Sequence, residues 1–74
     1  MLVRIILPTS EAIEKFVDIT EKLDGRIEIY SESNRSIVYS GKSLIGVIAA
    51  SAYPDLWCVA DSDIRPYIAD FLVK

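Results

Sequence analysis

The side chains that most often carry enzyme chemistry are scarce in this chain of 74 residues. It has no histidine, so no imidazole is present to pass on a proton or a phosphoryl group. The single cysteine, Cys58, cannot form an internal disulfide, and its apolar neighbours favour a buried hydrophobe over a redox or nucleophilic role. The sequence also lacks a glycine-rich phosphate loop, a catalytic carboxylate pair and a nucleophile elbow. We therefore expect no enzyme activity, no catalytic residue and no cofactor.

One short acidic segment superficially resembles a cation site. Asp61-Ser62-Asp63 offers three oxygen-bearing side chains, the kind of ligand that hard cations prefer. The segment lacks the acidic spacing and the closing glutamate of a calcium loop. Because Asp and Ser are also favoured helix N-caps, we expect these residues to begin a helix and to bind no metal.

Ser43 is the candidate for regulatory chemistry. It follows Gly41-Lys42 and precedes the apolar run 44–50, so it would cap a helix that starts there. A phosphoserine at a helix N-terminus is stabilised by free backbone N–H groups and by the helix dipole. The apolar side chains beside it are candidate docking residues for a kinase or a regulator: Leu44, Ile45 and Ile48. In the alternative interpretation, Ser43 is only a cap and the two isoleucines belong to the core.

Four strands and three helices are predicted to position these residues. Val- and Ile-rich runs and period-two alternation predict strands at 2–7, 26–31, 35–39 and 56–60. Apolar residues at helical spacing predict a first helix that Thr9 or Ser10 caps and Gly25 ends; they are Ala12, Phe16, Ile19 and Leu23. The second helix covers 44–50, and a third has a buried stripe made of Ile64, Ile68, Phe71 and Leu72.

The predicted order is β-α-β-β-α-β-α within a single domain, residues 1–74. This order favours an α+β fold, an open-faced two-layer sandwich with a four-stranded antiparallel sheet and three helices on one face. A ferredoxin-like layout is the competing fold. It would lack the third helix, so the structure of residues 62–73 should distinguish the two.

The element order and the segment Gly41-Lys42-Ser43-Leu44-Ile45-Gly46-Val47-Ile48 resemble the HPr family, phosphocarriers of the bacterial sugar phosphotransferase system. HPr proteins of Gram-positive bacteria have a similar Lys-Ser-apolar-apolar-Gly-apolar-apolar segment at the start of their second helix. Its serine, which Ser43 matches, is the family's regulatory phosphorylation site. The resemblance therefore implies an HPr-like fold and a protein partner, namely an HPr kinase that modifies the serine or a catabolite regulator that then binds.

The chain departs from the family at the phosphocarrier site. The family has a histidine at the start of its first helix, an arginine two residues on and then a proline; these positions fall within Thr9, Ser10, Glu11 and Ala12. A threonine phosphoester is too stable to pass its phosphate onward, and Glu11 would repel the phosphate by about 1 kcal/mol. The segment is either an ordinary capped helix start or a remodelled site that binds an anion or a partner.

The resemblance thus implies a non-catalytic HPr-like regulatory or interaction domain, similar to the catabolite-repression HPr that lacks the histidine but keeps the serine. Two alternatives are a divergent phosphocarrier-family protein and a structural or oligomerisation domain unrelated to sugar transport. Trp57 and Tyr30 are either interface residues on exposed strand faces or packing residues of the sheet.

Charge and hydropathy limit the partners further. The net charge is -3, which argues against nucleic acid and against an anionic membrane surface. The longest apolar run is far shorter than the ~20 residues of a membrane span. We find no charged leader before an apolar stretch, and we expect a cytoplasmic protein.

Overall fold

The computed structural model describes residues 1–73. Two α-helices, four strands and a final 3₁₀ turn follow one another in the described chain. They are β1 (Leu2–Ile5), α1 (Ser10–Thr20), β2 (Ile27–Ser31), β3 (Asn34–Ser40), α2 (Leu44–Ser51), β4 (Leu56–Ala60) and the 3₁₀ turn (Ala69–Phe71). The predicted α+β class and the order of the first six elements are confirmed.

The strands form one antiparallel sheet in the order β1-β4-β2-β3. β4 and β2 lie at its centre and pair from Ile27↔Ala60 to Ser31↔Leu56. Along both strands, buried residues alternate with half-buried ones, as expected where one face of a sheet packs against helices and the other stays open. The predicted four-stranded antiparallel sheet, with one face packed against helices and the other open, is therefore confirmed.

Helix α1 covers the closed face but ends earlier than its apolar spacing predicted. Its buried residues are Ile13, Phe16, Val17 and Thr20, whereas Leu23 lies beyond the helix and only partly packs against the core. The N–H groups of Lys22 and Leu23 donate to carbonyls three residues back, a tightened turn that ends the helix. Gly25 follows with a φ of 86°, the left-handed conformation that glycine adopts most easily.

The predicted third helix is wrong. Residues 62–73 form successive turns and the short 3₁₀ turn, although Ile64, Ile68 and Phe71 are buried as the stripe required. The reason is non-local: Ile6 N–H donates to Phe71 O at 2.8 Å and Val73 N–H to Arg4 O at 3.1 Å. In a helix over residues 62–73, the Val73 N–H would instead donate to Ala69 O, and the backbone around Phe71 would not be extended beside β1, so pairing with β1 replaces the helix.

The acidic segment before this region does not begin a helix either. Asp61 Oδ2 accepts the Arg26 backbone N–H at 3.0 Å, and Asp63 accepts the backbone and guanidinium N–H groups of Arg65. These bonds fix the turns after β4 instead. A helix over residues 62–73 would have distinguished the fold from a ferredoxin-like layout, and it is absent. The fold is therefore described by the strand order of its sheet and by its two α-helices.

Two further observations concern residues 1–73 as a whole. No helix among them has both the length and the apolar character needed to cross a membrane. These residues also contain no group of three or more histidine, cysteine, aspartate or glutamate side chains placed to hold a metal ion.

Candidate interaction surface around Ser43

Ser43 caps α2. Its backbone is extended, with φ -103° and ψ 123°, and its Oγ accepts the Gly46 N–H at 3.1 Å. Its carbonyl accepts the Val47 N–H at 2.9 Å, the first hydrogen bond of the helix. The sequence-based expectation of a helix capped by Ser43 is confirmed, and the side chain lies half-exposed at the positive end of the helix dipole.

The turn before Ser43 is tied to α1 and to β2. The fully buried Thr20 hydroxyl donates to Gly41 O at 2.7 Å, and Gly41 N–H donates to Ile27 O at 2.8 Å. A Cβ on Gly41 would lie 2.6 Å from Ile27 Cγ2, so the close approach requires glycine. Lys42 Nζ donates to the carbonyl of Leu23. The N-terminus of α2 is thus held in a fixed position.

The outer side of α2 carries exposed apolar side chains. Ile45 is 82% exposed, Ile48 51% and Leu44 42%, whereas Val47 and Ala50 on the opposite side are fully buried. We call Leu44, Ile45 and Ile48 the α2 patch. The alternative that Ile45 and Ile48 belong to the core is wrong. Their role in docking stays a prediction, but the exposure it needs is present.

A groove between the two helices borders this patch. It is lined by Glu14, Val17 and Asp18 of α1, by the C-cap residue Glu21 and by Leu44 of α2. The three carboxylates, which we call the acidic row, repeat at helical spacing and so share one side of α1. Their spacing is visible in the sequence, but their place beside Leu44 depends on how the helices pack. Sequence reasoning therefore missed this part of the surface.

At Thr9, where the resemblance to HPr would place the phosphocarrier histidine, the structure shows an ordinary helix start. Thr9 Oγ1 accepts the Ala12 N–H at 3.1 Å, and Ser10 is the first helical residue. The adjoining groove is lined by Thr9, Glu11, Ala12, Lys15, Asp70 and Phe71. Lys15 Nζ lies 3.1 Å from Glu11 Oε1, and Asp70 adds a second carboxylate. This charge balance disfavours a bound phosphate.

The remaining candidates lie in the central strands of the sheet. Cys58 is buried in β4 between Val3 and Ile29, and burial raises the pKa of its thiol to about 11. The thiol is therefore protonated at neutral pH, as expected for a core residue. Trp57 and Tyr30 are half-buried neighbours on the open face of the sheet, and the Arg4 guanidinium lies 5.4 Å from the Trp57 ring centroid.

Comparisons of the chain with protein-family models, with curated proteins and with solved structures find no match. The resemblance to HPr thus depends on the element order and on residues 41–48.

Replacing Ser43 by alanine should lower the free energy of unfolding by about 1 kcal/mol, because Gly46 N–H loses its acceptor. Aspartate at the same position can still accept this hydrogen bond and should retain most of the stability. Urea unfolding of the three proteins, followed by circular dichroism, measures both values. Equal stability of the alanine and wild-type proteins would contradict the capping role.

Proposed function

We propose that this chain is a non-catalytic, HPr-like regulatory domain that binds a protein partner through the α2 patch under the control of phosphorylation at Ser43. The observation that carries the proposal is the 82% exposure of Ile45 in the first turn of a helix whose N-cap is Ser43. A modifiable hydroxyl and an apolar contact surface therefore lie side by side.

Binding has a clear physical gain at this patch. Burying one large aliphatic side chain that water now surrounds is worth roughly 1.5–3 kcal/mol. Ile45 and Ile48 lie one helical turn apart, so a single partner surface can cover both. Val47 and Ala50 hold the other side of α2 in the core, so the patch is presented by a rigid element. Such anchors commonly dominate the affinity of a protein interface.

Phosphorylation would change the same surface. The Ser43 hydroxyl would attack the γ-phosphorus of ATP, lose its proton and release ADP, leaving a phosphoester on Oγ. Phosphate oxygens would then take the place of Oγ near the N–H groups of the first turn of α2, where the helix dipole favours an anion. Roughly two negative charges would be added beside Leu44 and Ile45, which would alter the choice of partner.

The surroundings of Thr9 support the non-catalytic part of the proposal. A phosphocarrier there would need a nucleophile whose phosphorylated form transfers its phosphate readily, and the chain contains no histidine. Glu11 and Asp70 would also repel the incoming phosphate, and among the described residues that line this groove Lys15 alone offsets them.

Two labelling experiments test the proposal. Purified HPr kinase with labelled ATP should modify the wild-type chain but not the variant Ser43→Ala, with an HPr substrate as the positive control. Absence of label on the wild-type chain under conditions that label HPr would overturn regulation at Ser43. In the second experiment, enzyme I and labelled phosphoenolpyruvate should leave the chain unlabelled. An acid-labile phosphate on it would instead identify a divergent phosphocarrier.

A further inference from the structure

In the described part of the chain, most other carboxylates form an ion pair, whereas those of the acidic row form none. Among residues 1–73, five carboxylates lie in ion pairs, namely Glu11–Lys15, Arg26–Glu28, Glu32–Arg35, Arg4–Asp55 and Asp63–Arg65. None of these pairs includes Glu14, Asp18 or Glu21. Lys22, four residues after Asp18, lies beyond the end of α1 and forms no ion pair with Asp18. Three carboxylates that form no ion pair therefore line one groove.

The groove joins this charge to the apolar surface. Leu44 lines it opposite the acidic row and also belongs to the α2 patch, and no basic side chain contributes to its lining. Lys42, the nearest cation in sequence to the patch, is turned toward the carbonyl of Leu23. A ligand lying across the two helices would thus meet apolar side chains on α2 and carboxylates on α1.

We infer that the partner of the α2 patch presents a basic amphipathic helix. Its apolar side chains would cover Leu44, Ile45 and Ile48, and lysine or arginine along one flank would face the acidic row. This inference depends on the proposed function, because it names the partner class of the same surface. The apolar contact supplies affinity, while the charges accelerate association and select against acidic partners. An anionic membrane surface would be repelled by the same carboxylates.

Phosphorylation of Ser43 would act in the same direction. The new negative charge lies at the end of α2 that carries Leu44 and Ile45, so it adds to the attraction for a basic flank. A basic partner should therefore bind the phosphorylated chain more tightly than the unmodified chain, and this difference should shrink as salt is raised.

Two synthetic amphipathic helices with the same leucine face provide the probe, one with lysine flanks and one with glutamate flanks. We expect the lysine peptide to bind at low salt and the glutamate peptide not to bind, as measured by fluorescence anisotropy. The isosteric variant Glu14→Gln/Asp18→Asn/Glu21→Gln should weaken binding of the lysine peptide about tenfold and flatten its salt dependence. A control with the same charge change elsewhere, Glu28→Gln/Glu32→Gln/Asp70→Asn, should change binding less than about twofold.

A second variant separates this inference from the proposed function. Ile45→Ser/Ile48→Ser alters only exposed side chains and should abolish binding of the lysine peptide. If this variant abolishes binding while neutralising the acidic row does not, the patch is a docking surface and the basic partner is wrong. Equal binding of both peptides, or binding of neither, would also overturn the basic partner. If the serine variant binds like the wild-type chain, the docking role of the α2 patch itself fails.

Discussion

Replacing Phe16 by alanine should lower the free energy of unfolding by about 3–5 kcal/mol, the usual cost of truncating a buried phenylalanine. The side chain is fully buried, and its ring lies 5.6 Å from that of Phe71 in an edge-to-face arrangement at 88°. A chain of 74 residues has a total stability of roughly 4–11 kcal/mol. The loss is therefore at least about a quarter of the total stability, and at the lower end of that range the variant is unfolded.

Urea unfolding followed by circular dichroism and tryptophan fluorescence measures this effect. Phe16→Leu keeps most of the buried volume and should lose much less stability. A double-mutant cycle that combines Phe16→Leu with Phe71→Leu, which removes the ring pair and keeps most of the buried volume, should show a coupling of about 0.5–1.5 kcal/mol. A loss below 1 kcal/mol for Phe16→Ala would show that Phe16 does not anchor α1 to the final segment.

The sequence predicts those elements whose pattern and ends are both local. The Val- and Ile-rich runs, the polar turn between β2 and β3, and Ser43 before an alanine-containing run identify the strands and α2 correctly. The last segment differs because burial of Ile64 and Ile68 satisfies a helix and a series of turns equally well. The pairing of Leu72 with Ile5 decides between a helix and turns. This contact joins residues almost a whole chain length apart, so no local pattern indicates it.

The same distinction between local and tertiary information applies to the candidate site. Ser43 and its cap were predicted from neighbouring residues, and the structure confirms the cap. The direction of Ile45 and Ile48 was open, because residues 44–50 are apolar nearly all round and fit a core helix as well as a surface helix. Only the packing of Val47 and Ala50 against the core turns Ile45 and Ile48 outward. The acidic row lies beside this surface because of how α1 and α2 pack, which the sequence does not indicate either.

The N-termini of the two α-helices thus differ in their surroundings. At the start of α1, the cap is satisfied by Thr9, and the nearby charges disfavour phosphate. At the start of α2, a half-exposed serine is followed by apolar side chains that no described residue covers. The start of α2 is therefore the better candidate for a functional surface. Buried hydrogen bonds at Gly41 help to hold it in position.

Replacing Thr20 by valine, which has nearly the same shape, should lower the free energy of unfolding by about 1–3 kcal/mol. The hydroxyl is buried and donates to Gly41 O at 2.7 Å, with Val17 O 3.2 Å away as a second acceptor for the same proton. Valine removes the donor and leaves the Gly41 carbonyl without it. Because Gly41 precedes the Ser43 cap by two residues, the N-terminus of α2 should also become more mobile.

Unfolding in urea gives the stability loss, and amide hydrogen exchange at Gly46 and Val47 reports on the cap. Both amides should exchange faster in Thr20→Val. Thr20→Ser retains the hydroxyl, so it should keep slow exchange at these two positions even though the lost methyl group costs some stability. Faster exchange confined to α2 would show that the Thr20–Gly41 bond positions the Ser43 surface. Unchanged exchange in the valine variant would show that Gly41–Ile27 contacts alone are sufficient, because the backbone bond between them is intact in both variants.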